Sequence, residues 1–228
     1  ITAALCVVVL RMGLPAGDAP GEGSARQRVD FRAAMRGYWP LLGFAVVFMS
    51  AGATFSHATQ DLYPAMMRLE RHMSVHQVAI IAVAYNIGAV AGCLCGGTLS
   101  QAFGRRQVIV GASVAIMCLL PLWALASGMA MTLISAVGMQ FLVMCVYGVM
   151  PVYLNELAPE RIRSTFAGFV YQVGFFLTSG NATLQAWLAA RHGGAYGMVL
   201  AASVLGGVLV FIFLFLRGTT RPVVTRSA

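Results

Sequence analysis

Six long apolar runs dominate this chain and restrict what it can fold into. They cover residues 38–59, 78–99, 108–126, 129–154, 165–190 and 195–216. A helix needs about 20 mostly apolar residues to cross a bilayer. Backbone groups inside a bilayer must find their hydrogen bonds within the segment, so each run predicts a helix. The short joins at 127–128 and 192–194 predict antiparallel neighbours. The expected fold class is an all-α membrane protein.

The charge composition supports a lipid bilayer as the main partner and excludes nucleic acid. The chain is 59% hydrophobic and only 10% charged, whereas soluble domains carry about 25% charged residues. The net charge of +8 comes from 15 basic residues, all arginine. They lie between the apolar runs and form no single basic patch. Membrane orientation explains this distribution better than nucleic-acid binding.

The arginines also predict the topology. If the runs alternate in direction, one side of the membrane receives twelve arginines and the other receives Arg68, Arg71 and Arg191. Positive residues accumulate on the cytoplasmic side. The long loop before the first run and the C-terminus are therefore expected in the cytoplasm. The expected location is the plasma membrane, in a bacterium the inner membrane.

The chain is expected to be part of a larger protein. Residues 1–11 form an apolar run about half the length of a span, and no basic region precedes it, as a signal peptide would require. We interpret this run as the end of a preceding transmembrane helix. Residues 12–37 are predicted to be a cytoplasmic central loop, 38–217 a six-helix C-terminal domain and 218–228 a cytoplasmic tail.

Polar residues are concentrated in four of the six spans, which predicts a shared cavity. The first, second, fourth and fifth spans carry them, while the third and sixth carry almost none and are expected to face lipid. Amide and hydroxyl donors suit a carboxylate or hydroxy acid, although each alone fits interhelical hydrogen bonding equally well. The candidate substrate-binding residues are Ser56, Thr59, Gln60, Asn86, Gln140, Tyr147, Tyr171, Gln172, Thr178 and Asn181.

The first span ends in the pair of ionisable residues that most constrains function. His57 and Asp61 are four residues apart and share one helical face with Ser50 and Thr54. Ionisable groups in or beside a span indicate a functional site. At 1.5 Å per residue, Asp61 lies roughly 33 Å beyond Trp39, near the outer end of the span. This depth favours proton coupling and outer gating; the alternative is that Asp61 caps a neighbouring helix end.

Two loop motifs resemble signatures of the major facilitator superfamily. The first, GTLSQAFGRR, begins at Gly97 and contains Gln101, Gly104, Arg105 and Arg106; the second, YLNELAPERIRST, contains Glu156 and Arg163. The resemblance implies the six-helix half of a twelve-helix major facilitator fold. These seven residues would form the motifs of a cytoplasmic gate. The family often has Asp where this chain has Gln101, so we expect Arg105 or Arg106 to pair with Glu156. The alternative is that the arginines only anchor lipid headgroups.

The segment SHATQD, residues 56–61, resembles the seventh-helix signature of the sialate:proton symporter and lactate permease (Jen) branch. The match covers Ser56, His57, Thr59, Gln60 and Asp61. This chain departs from the family pattern at Ala53 and Ala65, where the pattern has Asn and Thr. The resemblance implies proton-coupled transport, and the departures bear on the substrate more than on the mechanism.

The predicted function is secondary active transport: proton-coupled symport of a small organic monocarboxylate such as lactate or pyruvate. The alternative substrate is sialic acid or another larger organic acid. An intramembrane enzyme or a channel is a remote alternative, because no nucleophile with a neighbouring mid-span histidine is present and because the gate motifs favour a carrier. No cofactor or metal is expected. The expected partners are an organic acid, protons, the bilayer and the N-terminal half of the same transporter.

Overall fold

The computed structural model describes residues 38–158 and 162–219. The predictions for residues 1–11, 12–37 and 220–228 lie outside this part of the chain. Within it, the secondary structure is helical throughout, with no strand. The helices are α1 (Trp39–Gln60), α2 (Tyr63–Leu69), α3 (Val75–Phe103), α4 (Arg105–Leu125), α5 (Met129–Leu157), α6 (Arg163–Thr178), α7 (Asn181–Arg191) and α8 (Tyr196–Thr219).

Five segments of the described chain are long and apolar enough to cross a membrane. They are Trp39–Leu69, Val75–Phe103, Arg105–Leu125, Met129–Leu157 and Tyr196–Gly218. Each contains most or all of one predicted run, so the all-α membrane fold class is confirmed. The sequence places the ends of α3 and α5 several residues too early, since polar turns at the membrane surface continue as helix.

The predicted span 165–190 is wrong as one continuous helix. The chain forms α6 and α7 with a break at Ser179 and Gly180. The Ser179 hydroxyl donates to the Phe176 carbonyl at 2.8 Å, and the Ser179 amide bonds the same carbonyl. Serine competes in this way with regular helical bonding, and glycine is a weak helix former. Together they explain a break that hydropathy does not reveal.

The first span is longer than predicted and is interrupted near its C-terminal end. Helix α1 ends at Gln60, and the seven-residue α2 follows after Asp61 and Leu62. Pro64 lies in the first turn of α2, where proline is tolerated because its missing N–H has no intrahelical partner there. Asp61 therefore lies at the junction between two helices.

Glycines bring α3 and α5 into backbone contact. Gly92 lies against the Phe141 carbonyl and Gly96 against the Cys145 carbonyl, so closely that a Cβ atom at either glycine would overlap the carbonyl oxygen. Gly88 adds a third contact one turn earlier, where a Cβ would lie 3.0 Å from the Val137 oxygen. Small residues at four-residue spacing permit this kind of approach in membranes. These three glycines form a glycine stripe that holds α3 against α5.

Helix α1 belongs to the most buried of the five spanning segments. It packs on α6 and α8, while α4 packs on α5 and α8. Near the middle of α1, the Phe48 ring stacks on Phe211 with 4.6 Å between centroids and meets the edge of Tyr153 at 5.4 Å. This packing holds α1 firmly below the His57–Asp61 segment.

Candidate functional site

The His57–Asp61 pair forms in the structure as its spacing predicts. The His57 Nδ1 and Asp61 Oδ2 atoms are 2.8 Å apart, and the Asp61 amide bonds the His57 carbonyl at 2.9 Å. The side chains are 23% and 40% exposed, so the pair is reachable from outside the bundle. The pair therefore joins an imidazole ring to a carboxylate at the C-terminal end of α1.

The second ring nitrogen of His57 faces inward. The Nε2 atom is buried and has no hydrogen-bond partner in the described ranges. The edge of the ring meets Phe175 of α6, with 5.3 Å between centroids and an interplanar angle of 76°. A buried polar atom without a partner costs roughly 1–3 kcal/mol. A ligand that bonds Nε2 would recover part of that free energy.

Tyr147 of α5 carries a second polar atom of this kind. Its hydroxyl is buried and lacks a hydrogen-bond partner within residues 38–158 and 162–219, and Ser56 and Tyr171 lie close enough to interact with it. The Tyr147 ring lies 6.4 Å from Phe175, which stacks on Tyr171 at 5.0 Å. His57, Tyr147 and Tyr171 are thus gathered around one phenylalanine.

The other predicted residues on α1 form a local network. The Thr59 hydroxyl donates to the Ser56 carbonyl at 2.8 Å, and the Gln60 amide approaches the Ser56 hydroxyl at 3.3 Å. Ser56 and Thr59 are 5% and 2% exposed. Because their hydrogen bonds are largely satisfied within the helix, these residues shape the wall beside His57 and leave its Nε2 as the unsatisfied group.

The remaining predicted substrate contacts are divided between the bundle interior and its surface. The Asn181 amide donates to the Thr54 carbonyl at 3.2 Å and so ties α7 to α1. Thr178 bonds carbonyls of its own helix, and Asn86 bonds the Ala82 carbonyl. Gln172 is exposed, whereas Gln140 is 2% exposed, on α5 two turns from Tyr147. The structure does not gather these five residues with the His57 cluster through any hydrogen bond between described side chains.

Reasoning from the sequence missed two residues in the described part of the bundle. Phe175 is apolar and gave no signal of its own, although it lies one helical turn from Tyr171 and so shares its face. Gln185 of α7 is 1% exposed, and both of its amide atoms lack partners in the described part of the chain. The sequence does not show whether a polar side chain will find a hydrogen-bond partner, because this depends on how the neighbouring helices pack.

At the opposite end of the bundle, the two loop motifs meet through one ion pair. Arg105 and Glu156 form an ion pair between α4 and α5. Gly104 joins α3 to α4 with φ of 87°, a conformation that favours glycine. Arg105 begins α4 and Glu156 lies in the last turn of α5, so each charge sits at the helix end of like partial charge. Their mutual pairing offsets both unfavourable positions.

The other motif residues frame this pair. Gln101, Arg106 and Arg163 are exposed, and Gly97 lies in α3 where a Cβ atom would only touch the Gly148 carbonyl at 4.0 Å. Arg106 thus offers a charged neighbour that does not join the ion pair with Glu156. Among the residues that the structure describes, no group of three or more His, Cys, Asp or Glu side chains is placed to hold a metal.

Comparison with known proteins identifies the family. The chain is 31% identical over 206 residues to the carboxylic acid transporter protein homolog of Saccharomyces cerevisiae, covering 85% of this chain and 33% of the relative. It is 27% identical over 196 residues to the proton myo-inositol cotransporter of Caenorhabditis elegans, covering 80% of this chain and 32% of that protein. The chain therefore spans about a third of the length of these relatives. No solved structure matches it. Because the sequence model of the sugar (and other) transporter family matches residues 31–225, the chain belongs to that family, within the major facilitator superfamily.

Proposed function

We propose that this chain is the C-terminal half of a proton-coupled symporter for a small organic monocarboxylate such as lactate or pyruvate. The observation that carries the proposal is the His57–Asp61 pair, with one ring nitrogen on the carboxylate and the other buried and unpaired. The similarity to a carboxylic acid transporter homolog supports the substrate class. The second relative is named as a proton cotransporter, which supports the proton as the coupling ion.

The geometry suggests how a proton and an anion are coupled. Asp61 accepts from Nδ1–H of His57, so in the neutral ring Nε2 is an acceptor. A proton that arrives on Nε2 converts it into a charged donor. Only this protonated form attracts a carboxylate, and the Tyr147 hydroxyl supplies a second donor nearby. Proton binding thereby creates the anion site. Release of the proton weakens binding of the anion, and release of the anion weakens binding of the proton.

The wider architecture follows from the same proposal. The N-terminal half of the transporter would supply the other wall of the cavity, facing α3, the least buried of the five spanning segments. The protein would lie in the plasma membrane, or the inner membrane of a bacterium, with its long loop and C-terminus in the cytoplasm. Arg105 and Glu156 would close the cytoplasmic side when the outer side is open.

A polyol is the second candidate substrate, because one relative is a proton myo-inositol cotransporter. A polyol needs several neutral donors and acceptors and no cationic donor. Sialic acid or another larger organic acid is the third candidate. Uptake of labelled lactate, myo-inositol and sialic acid into proteoliposomes that contain the full-length transporter distinguishes them. Lactate uptake that unlabelled pyruvate inhibits and myo-inositol does not inhibit supports the monocarboxylate. Inhibition by myo-inositol alone contradicts it.

Phe175 provides a test of the aromatic wall. Phe175→Leu keeps most of the volume but removes the ring contacts with His57 and Tyr171. Aromatic pairs contribute about 0.5–1.5 kcal/mol beyond burial, so we expect KM for lactate to rise about two- to tenfold. The matched control is Phe176→Leu, since that neighbouring ring is 77% exposed. An equal rise of KM in both variants would contradict the proposal that Phe175 lines the substrate site.

The ion pair between Arg105 and Glu156 is tested by exchanging its charges. Both side chains are partly exposed, so the pair contributes only about 0.2–1 kcal/mol. Arg105→Glu alone places two carboxylates together and is expected to slow uptake severalfold, and Arg105→Glu combined with Glu156→Arg is expected to recover most of the rate. Arg106→Glu is the control for a charge change at the same surface. A double exchange that is no better than Arg105→Glu alone contradicts the gate.

A further inference from the structure

The two residues that follow α2 fasten three other helices. The Arg71 guanidinium donates to the Trp123 and Ala124 carbonyls, both at 2.9 Å, at the end of α4. It also donates to the Thr132 hydroxyl in the first turn of α5, at 3.1 Å. The Glu70 carboxylate accepts from the Gly197 amide in the first turn of α8, at 2.7 Å. We refer to Glu70 and Arg71 as the outer clamp.

The charges of the outer clamp suit the groups they hold. The last carbonyls of a helix carry a partial negative charge and the first amides a partial positive charge. Arg71 lies on the negative end of α4, and Glu70 lies on the positive end of α8. Charge-assisted hydrogen bonds of this type are stronger than neutral ones. Neither role follows from the sequence motifs, because the partners are three backbone groups and one hydroxyl that lie 52 to 127 residues away.

The clamp is connected to the ionisable pair through Tyr63. Tyr63 follows Asp61 by two residues, is 1% exposed and stacks on Trp123 with 4.6 Å between ring centroids. Trp123 is also the residue whose carbonyl Arg71 holds, and the Arg71 guanidinium lies 6.0 Å from the centre of the Tyr63 ring. Since Asp61 lies between α1 and α2, the position of its carboxylate depends on where α2 is fastened.

We infer that Glu70 and Arg71 are positioning residues, which fasten α2 so that Asp61 orients the His57 ring with Nε2 buried against Phe175. This inference rests on the proposed coupling role of the pair. The titratable side chains near the pair on other helices are Tyr85 of α3, beside Asp61, and Tyr147 and Tyr171 beyond Phe175. The clamp touches none of them; it acts on the pair through the path of the chain from Tyr63 to Arg71.

The burial of His57 can be measured without any transport. Full-length transporter in proteoliposomes is treated with diethyl pyrocarbonate at one fixed pH, and the modification rate of each histidine is read by peptide mass spectrometry. His192 is exposed and serves as an internal reference. In Arg71→Gln we expect His57 to react about tenfold faster relative to His192, because the outer end of α1 opens locally. Arg71→Lys keeps the charge but not the forked geometry and should give an intermediate rate.

The controls separate positioning from general loosening. Arg68→Gln removes an exposed arginine of the same segment that makes none of the clamp contacts, and the His57 rate should stay at the wild-type value. Glu70→Gln is the second test variant, and it replaces Arg71→Gln if that protein does not remain monodisperse. An unchanged His57 rate in both clamp variants overturns the inference. An equal rise at His57 and His192 overturns it as well, since that indicates global loosening.

Transport provides the second measurement. In Arg71→Gln, gradient-driven accumulation of lactate should fall more than exchange of labelled for unlabelled lactate at equal pH, because exchange needs no net proton movement. A proportional loss of both activities shows a merely structural role and contradicts positioning. If the wild-type protein accumulates no carboxylate, the proposed function fails, while the histidine rates still decide the role of the clamp.

Discussion

Asp61→Asn in the full-length transporter is expected to remove nearly all accumulation of substrate against its gradient. Asparagine keeps the size of the side chain but lacks the negative charge of Asp61. In the wild type, the charged Oδ2 atom lies 2.8 Å from Nδ1 of His57 and accepts its hydrogen bond. Loss of a hydrogen bond to a charged partner costs roughly 1.5–3 kcal/mol, which corresponds to about a 10- to 100-fold loss of the coupled rate. His57→Gln should have an effect of similar size. The measurement is lactate uptake with and without an imposed pH gradient.

Exchange at equal pH provides the control for this prediction. A variant that loses coupling but still folds and binds substrate should retain part of its exchange activity. The matched substitution is His192→Gln, at an exposed histidine near the outer end of α7, and it should transport like the wild type. Full gradient-driven uptake by both Asp61→Asn and His57→Gln would show that the pair does not couple transport to protons.

The second large effect is expected at the glycine stripe of α3. A Cβ atom at Gly92 or Gly96 would overlap a backbone carbonyl of α5, and a backbone cannot move aside as a flexible side chain can. Gly92→Leu should therefore prevent the normal packing of α3 on α5. Overpacking of a core costs about 1–3 kcal/mol even where side chains yield, and this site has less freedom. We expect little folded protein, measured as the monodisperse yield in detergent.

Alanine substitutions test the same close contact with a smaller change in volume. Gly92→Ala should lower the thermal unfolding temperature in detergent, while Gly111→Ala, on α4 where nothing lies within 4 Å of the added Cβ, should leave it unchanged or raise it. Glycine is the least favourable residue in a helix interior after proline, so alanine at an open position is neutral or stabilising. Equal behaviour of the two alanine variants would contradict close contact between α3 and α5.

Hydropathy was sufficient to predict the five spanning segments, because burial in lipid depends mainly on how many apolar residues lie in a row. It failed at Ser179 and Gly180, where two residues end α6 inside one predicted run. It also failed to predict α2, since Asp61 and Pro64 suggest the end of a span and the return into a second helix depends on tertiary contacts of Tyr63 and Arg71.

The candidate site was predictable where it is local. His57 and Asp61 are one turn apart, so helical geometry alone brings them together. The Arg105–Glu156 pair was expected from the family resemblance. Phe175 and the unpaired Tyr147 hydroxyl depend on how α1, α5 and α6 pack, which the order of residues does not state. Asn181 illustrates the same limit, because the amide expected to contact substrate donates to the Thr54 carbonyl of another helix.

The most direct measurement is proton movement driven by substrate. Full-length protein is reconstituted into vesicles that contain a pH-sensitive dye, lactate is added outside, and the rate in protein-free vesicles is subtracted to remove passive entry of the acid. The account predicts rapid acidification of the lumen by the wild-type protein and none above background by Asp61→Asn. Lactate uptake without acidification, or equal acidification by the two proteins, would contradict proton coupling through His57 and Asp61.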